Sequence, residues 1–213
     1  MSVKTLQSEK NLIYFCTFTC YNWLKLFEIT NYYTNIYKWF DILENYGNKL
    51  IGYVIMPDHI HFLLFLHEKN KIINNLISNG KRFMAYDIVK ILKNQNNCSI
   101  INILKDGVSE NEMGKGKNHQ VFEPSFDAKI CWSEEVIVQK LDYIHHNPVF
   151  GIWNLVGDFT EYIHSSAKYY ETGVQGIYPV MHYKDAFESF FNPQSPLRET
   201  LRGSSKGISS KTV

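Results

Sequence analysis

His59 and His61 stand two residues apart inside the apolar run 59–66 (HIHFLLFL). If that run is a strand, residues i and i+2 project from the same face, and the two imidazoles can converge on one ion. The competing reading is a pair of satisfied polar groups in a core, and two ligands do not complete a metal site. Further along, Val136, Lys140, Tyr143 and Asn147 recur at spacings of four, three and four, one face of a helix, while Ile137, Leu141 and Ile144 form its apolar stripe. If the first face packs toward the histidines, Asn147 can offer its amide oxygen as a third ligand and Tyr143 can aim its phenol at whatever the cation polarises. From spacing alone, packing or surface roles outweigh catalysis for Tyr143, one of 14 tyrosines.

Such a set could support nucleophilic attack on phosphorus. A phenol of pKa about 10 is a weak nucleophile at neutral pH, but a divalent cation withdraws charge from a phosphodiester and aligns it for in-line displacement. A covalent phosphotyrosine conserves the bond energy, so the cut strand can be rejoined without ATP.

The elements that would position these residues are legible in outline. Residues 12–23 (LIYFCTFTCYNW), rich in aromatic and β-branched residues, predict a strand. A helix follows, with Thr30 as its cap, Tyr33, Ile36, Phe40 and Leu43 at helical spacing, and Gly47 at its end. The runs 49–56 and 59–66, separated by Pro57 and Asp58, predict a hairpin. A second helix is expected over about 71–94, with Gly80 a weak point inside it. Residues 105–119 read as a loop, and 120–131 as a fourth strand that Pro124 restricts to an edge or bulge. Ser133 can cap a final helix whose first turn carries Glu134 and Glu135 and which must stop near Asn147, because Pro148 disfavours α geometry in the residue before it. The order β-α-β-β-α-β plus one helix is that of an α+β, ferredoxin-like split βαβ unit: one antiparallel sheet with helices on one face, followed by the tyrosine-bearing helix.

Length and composition agree with one domain, placed over residues 1–178, with a C-terminal extension over 179–213 whose last fifteen or so residues are expected to be disordered. The 45% apolar and 20% charged fractions are ordinary, and the 15% aromatic share is high; aromatics pack cores but also stack on unpaired bases. A net charge of +1 neither announces nor excludes a nucleic-acid partner. Each local basic group alone reads as solvated surface; if DNA binds, Lys81, Arg82, Lys115, Lys117 and Lys140 are the candidate contacts. The Gly114–Lys117 run lacks the spacing and the Ser/Thr of a phosphate-binding loop. Four cysteines show no paired spacing, Cys16 and Cys20 on one strand standing roughly 13 Å apart. With no apolar signal run or membrane span in the sequence, a reduced, cytoplasmic protein is expected.

The stretch 53–64 (YVIMPDHIHFLL) resembles the histidine-bearing strand of the REP-associated tyrosine transposases, single-tyrosine members of the HUH endonucleases. Residues 140–149 (KLDYIHHNPV) look like their tyrosine helix, 165–170 (SSAKYY) is similar to the segment that follows it, and 78–90 is similar to their second helix. The likeness runs over about residues 12–178. It implies that His59, His61 and Asn147 hold the catalytic metal, that Tyr143 is the nucleophile, and that the cofactor is Mg²⁺ or Mn²⁺, where ligand softness alone would suggest Zn²⁺. It further implies a monomer or homodimer acting on single-stranded or hairpin DNA through a 5′-phosphotyrosine. Departures fall at Phe122–Glu123, at Phe150–Trp153 and at His164, where the family favours other residues. His145 and His146 diverge around the helix from Tyr143 and could at most contact phosphate or shuttle a proton. A hairpin-binding protein that does not cut, and a metal-dependent phosphoesterase that needs no Tyr143, stay open as alternatives.

Overall fold

The computed structural model describes residue 9 and residues 11–69 and 72–191; the expected disorder of the last fifteen or so residues lies outside them. Strand β1 (Leu12–Thr19) is followed by a short helix α1 (Leu26–Ile29), helix α2 (Tyr33–Asn45), strands β2 (Lys49–Ile55) and β3 (His59–Leu66) and the long helix α3 (Ile73–Asn94). Next come α4 (Cys98–Asp106), α5 (Glu110–Met113), strand β4 (Asp127–Cys131), α6 (Glu134–His146), α7 (Ala167–Thr172) and α8 (Tyr183–Phe191). The strands form one antiparallel sheet in the order β2-β3-β1-β4, the α+β, split βαβ arrangement expected from the element order.

Alternation along the strands separates two cores. Tyr14, Cys16 and Phe18 of β1 and Ile60, Phe62 and Leu64 of β3 face α2 and α3. Ile13 and Phe15, with Leu63 and Phe65, face α6, whose Ile137, Leu141 and Ile144 are buried against them as the helical stripe predicts. Each such side chain contributes about 1.5–3 kcal/mol when fully buried. Because the side-chain period of a strand is two, His59 and His61 share the α6 side with Leu63 and Phe65.

Gly80, expected to weaken α3, is where Trp39 of α2 lies against the helix: a Cβ there would stand 2.5 Å from the indole Nε1. Gly52 does the same on the other face. A bulge between Leu50 and Gly52 turns both Ile51 and Gly52 toward α6, and a Cβ on Gly52 would stand 2.4 Å from Leu141 Cδ2.

Several boundaries differ from the sequence reading. The first strand ends at Thr19 rather than 23, because Asn22 and Trp23 take left-handed backbone angles (φ 52° and 54°) in a turn. Thr30 does not cap α2; its hydroxyl donates to Leu26 O at the end of α1. The stretch 105–119 is not a plain loop, since it holds the end of α4 and all of α5. The fourth strand begins only at Asp127, after Pro124, with Phe122 making an isolated bridge to Cys20. Ser133 caps α6 by accepting from Val136 N, as expected. The helix does end at His146, but Asn147 keeps helical angles (φ −52°, ψ −42°): Pro148 sits in the first turn of a 3-10 segment, where its missing N–H costs nothing.

The edge of β2 is covered by the segment before α7. Ile55 N donates to His164 O and Ser166 N to Tyr53 O, with a bridge between Val54 and Ser165. Beyond residue 178 the chain continues along the sheet edge, where Met181 N donates to Leu50 O and Ala186 is fully buried. No described helix is long and apolar enough to cross a membrane.

Candidate active site

β3 is paired along its whole length with β1, in a register that sets Thr17 opposite His61 and Thr19 opposite His59. Both histidines are nearly buried and their ring centroids lie 4.7 Å apart. The Nδ1 atom of each ring is already engaged. Thr17 Oγ1 stands 2.6 Å from Nδ1 of His61, and Asp58 Oδ1 stands 2.5 Å from Nδ1 of His59. In each ring this leaves Nε2 as the nitrogen that can turn to a cation, with its orientation fixed through the other nitrogen, the arrangement usual around metal-bound histidines.

Burial, then the neighbouring His59 and Lys140, hold the His61 pKa well below its ordinary value, so His61 is neutral and keeps a lone pair for a ligand. Trp23 packs edge-on against His59, with ring centroids 6.0 Å apart, and Trp153 lies 5.9 Å away on another side. Lys25 Nζ sits 5.6 Å from the centre of the Trp153 ring.

α6 brings Tyr143 onto this cluster. Its ring lies 5.2 Å from His61 and 6.2 Å from Phe15, which is itself stacked on His61 at 5.7 Å. The Tyr143 side chain is half open to solvent, in contrast with the other tyrosines nearby. Tyr162 donates to Ile55 O and Tyr170 to Ile51 O, and burial raises both phenols far above the usual range. Asn147, one helical turn beyond Tyr143, is half-buried, and its amide makes no hydrogen bond with any described group.

The donors fit a divalent cation in kind: two imidazoles oriented through Nδ1, and an uncommitted amide oxygen on the neighbouring helix. Among the described residues no three His, Cys, Asp or Glu side chains group as a metal site. A cation here would therefore rest on the two imidazoles with an amide, water or phosphate oxygen.

His145 is buried, and burial followed by the His146 charge lowers its pKa to about 3. Its Nε2 lies 2.9 Å from Ser166 Oγ, which in turn accepts from Tyr53 N. It therefore ties α6 to the edge of β2. His146 is paired with Asp142 at 3.2 Å.

The basic candidates divide between two places. Lys140 lies on the site side, its Nζ 5.1 Å from the centre of the Phe15 ring. Lys81, Arg82, Lys115 and Lys117 line a groove of about 760 Å³ between α3 and residues 112–126. There Lys81 donates to Glu123 O and Ser125 O, and burial lowers its pKa to about 8; Lys117 pairs with Glu112 at 2.8 Å.

Thr17, Asp58, Trp153 and Gly52 were not among the candidates read from the sequence. Asp58 carried only a turn signal, and Thr17 becomes relevant only through strand register. Of the departures from the family pattern, Phe122 packs on Phe18 and Phe27, Glu123 accepts from Asn22 N, and His164 stacks on Tyr33 at 3.8 Å.

No family model and no curated protein matches the chain. Among solved structures, a candidate transposase from Deinococcus radiodurans is similar at 21% identity and a TM-score of 0.31, over 67% of this chain and 95% of that one. A REP-associated tyrosine transposase bound to a REP hairpin superposes with a TM-score of 0.55 at 16% identity, over 84% of this chain and 89% of that one. The chain thus has the fold of a REP-associated tyrosine transposase.

Proposed function

We propose that this protein is a metal-dependent endonuclease and strand transferase for single-stranded DNA, cutting near hairpins with Tyr143 as its nucleophile. The observation that carries the proposal is the approach of a half-exposed phenol to within 5.2 Å, ring to ring, of one of two adjacent histidines whose Nδ1 atoms are both engaged. A packing tyrosine would be covered; this one faces solvent beside a pair of oriented ligands.

In this reading His59, His61 and Asn147 hold Mg²⁺ or Mn²⁺, which when bound withdraws charge from the phosphodiester oxygens. Tyr143 supplies the attacking oxygen. Its bond to phosphorus forms as the bond from phosphorus to the 3′ oxygen breaks, the phenol proton passes to water, and the leaving 3′ oxygen takes a proton to become a hydroxyl. Phe15 and Lys140 flank the ring, and α6, held down at Gly52 and by the His145–Ser166 contact, fixes its distance from the histidines. The solved neighbour holds a REP hairpin, which favours a hairpin-bearing strand as substrate over a small phosphoester.

The test is incubation with a pool of hairpin-bearing single strands and Mg²⁺, followed by denaturing electrophoresis. A metal-dependent protein–DNA adduct that Tyr143→Phe abolishes is expected. Binding without any adduct would leave a protein that does not cut, and cleavage persisting in the Phe variant would indicate water as the nucleophile.

A further inference from the structure

Two tryptophans from separate segments meet at His59. Trp23 stands in the turn after β1 and Trp153 in the loop after α6, with ring centroids 6.0 and 5.9 Å from the imidazole. Lys25, two residues beyond Trp23, has its Nζ 5.6 Å from the centre of the Trp153 ring, so the two segments come together beside the candidate metal ligand. The ion pair of Lys25 with Glu28 is 4.0 Å long and lies on the surface, which leaves the ammonium free to take a stronger partner.

Trp23 has no structural reason to be a tryptophan. Its side chain is 64% exposed, although an indole contributes most to a fold when it is covered. Its backbone is left-handed, with φ 54°, a conformation that bulky residues rarely adopt. The turn holds it there: Trp23 N donates to Cys20 O, Asn22 N donates to Glu123 Oε1 at 2.8 Å, and Cys20 N donates to the backbone oxygen of Asp58, whose carboxylate orients His59. Strain that the surroundings fix in place, on a side chain that no core needs, is characteristic of a functional position. A cleft of about 290 Å³, lined also by Thr17, Thr19 and Asp127, opens beside the indole.

An open indole is a stacking surface for an unpaired base. A phosphodiester joins two nucleosides, so a phosphate held at His59 carries one base away on each side, and an aromatic plane is available on two sides of that imidazole. A base within a duplex has both faces covered by its neighbours and can use neither plane.

We propose that Trp23 and Trp153 stack the two bases that flank the scissile phosphate, with Lys25 paired to an adjacent phosphate, and so hold the phosphodiester in line with Tyr143. The proposal rests on the proposed function for its substrate and adds two positioning residues and the reason the nucleotides at the cut must be unpaired.

The experiment first measures binding by fluorescence anisotropy in chelator, so that it does not depend on cutting. A single abasic residue is walked along the unpaired flanks of a labelled hairpin strand. The wild-type chain should lose about tenfold in affinity at two adjacent positions and little elsewhere. Trp23→Ala should bind the intact strand about tenfold more weakly, and the abasic residue at one of those positions should then cost nothing further; Trp153→Ala should do the same for the other position. Trp153→Leu keeps the bulk that packs against the α6-side core and serves if the alanine variant does not fold. Trp23→Phe, which retains a ring, should restore both affinity and coupling. Lys25→Gln should flatten the log–log salt dependence by about 0.7, the value for one lost single-strand contact. Trp132 is 67% exposed but follows Cys131, whose partner Ile13 lies at the other end of β1 from Thr17, so Trp132→Ala should change nothing. With Mg²⁺ and saturating DNA, Trp23→Ala should also form adduct at least about tenfold more slowly, and Trp23→Phe should recover the rate.

No position-specific loss in the wild type, abasic penalties that stay additive with both tryptophan variants, an equal loss in Trp132→Ala, or an unchanged saturating rate in Trp23→Ala would each overturn the proposal. So would variants that alter only the elution of the protein on size exclusion, which would make the pair a contact between copies of the chain. Coupled binding without any adduct in the wild type would instead sink the proposed chemistry and leave the stacking pair standing.

Discussion

Replacing Gly52 by Ala should damage the site from a distance. The new Cβ would lie 2.4 Å from Leu141 Cδ2, with Ser166 Oγ at 3.4 Å and Ile144 Cδ1 at 3.7 Å on its other sides. Carbon atoms pack best at about 3.5–4.0 Å, so Leu141 must retreat by about 1 Å or more. It is 3% exposed and enclosed in the α6 core, so the helix has to lift with it. Overpacking of this kind costs about 1–3 kcal/mol. The same displacement moves Tyr143, two residues along α6, relative to His61, and a misplacement of about 1 Å can cost about 10²-fold in rate. Urea denaturation would read the first effect and the rate of adduct formation with a hairpin strand the second. In a Leu141→Ala background, itself about 2–5 kcal/mol less stable, the added methyl has room, and the penalty of Gly52→Ala should largely vanish. Adduct formation at the wild-type rate in Gly52→Ala, or an undiminished penalty in the Leu141→Ala background, would refute the claim that this contact sets the height of the tyrosine helix.

Other consequences can be measured in the same way. Thr17→Val and Asp58→Ala each remove the group that orients one imidazole, and isothermal titration should show Mn²⁺ affinity falling about 10–100-fold. His59→Ala, His61→Ala and Asn147→Ala should each abolish metal-dependent cutting while hairpin binding, carried by contacts elsewhere, stays within a few-fold in electrophoretic shifts; unchanged cutting by the double histidine variant would remove the histidines from the site. Burial holds the His164 pKa at about 4 against an ordinary 6.5. The unfolded chain therefore binds the proton first as pH falls, and the stability from neutral His164 is complete above about 6.5 and is lost as pH drops toward 4. His164→Phe, which keeps an aromatic face for Tyr33, should flatten thermal stability over that window.

The elements nearest the chemistry were the most legible. The hairpin 49–66 and the stripe of α6 carry strong periodicity and clear turn and cap residues, so Pro57–Asp58 and Ser133 act as their types predict. Asn22 and Trp23 were misread as strand because aromatic content favours β structure, whereas the chain there turns through left-handed angles, for which Asn22 was the local signal. α5 was hidden by the polar, glycine-containing composition of 105–119, into which α4 extends by only its last two residues. At the site, the shared face of His59 and His61 follows from the strand period alone. Thr17 and Gly52 could not be found that way, since one depends on the β1–β3 register and the other on a bulge that turns it toward Leu141. His145, set aside as a metal ligand because it diverges around the helix from Tyr143, is turned inward by tertiary packing onto Ser166, a contact that no local signal marks.

The account depends on Tyr143, and the most direct measurement is to trap the adduct on a hairpin strand with Mg²⁺, digest protein and DNA, and locate the nucleotide by mass spectrometry. Tyr143 is the half-exposed phenol beside His61, whereas Tyr162 and Tyr170 donate to backbone carbonyls of β2 and are held protonated by burial. A 5′-linked nucleotide on the peptide containing Tyr143, with the other fragment ending in a free 3′ hydroxyl, is the predicted result. A nucleotide on Tyr162, Tyr169 or Tyr170, or metal-dependent cleavage by Tyr143→Phe with no adduct at all, would contradict it.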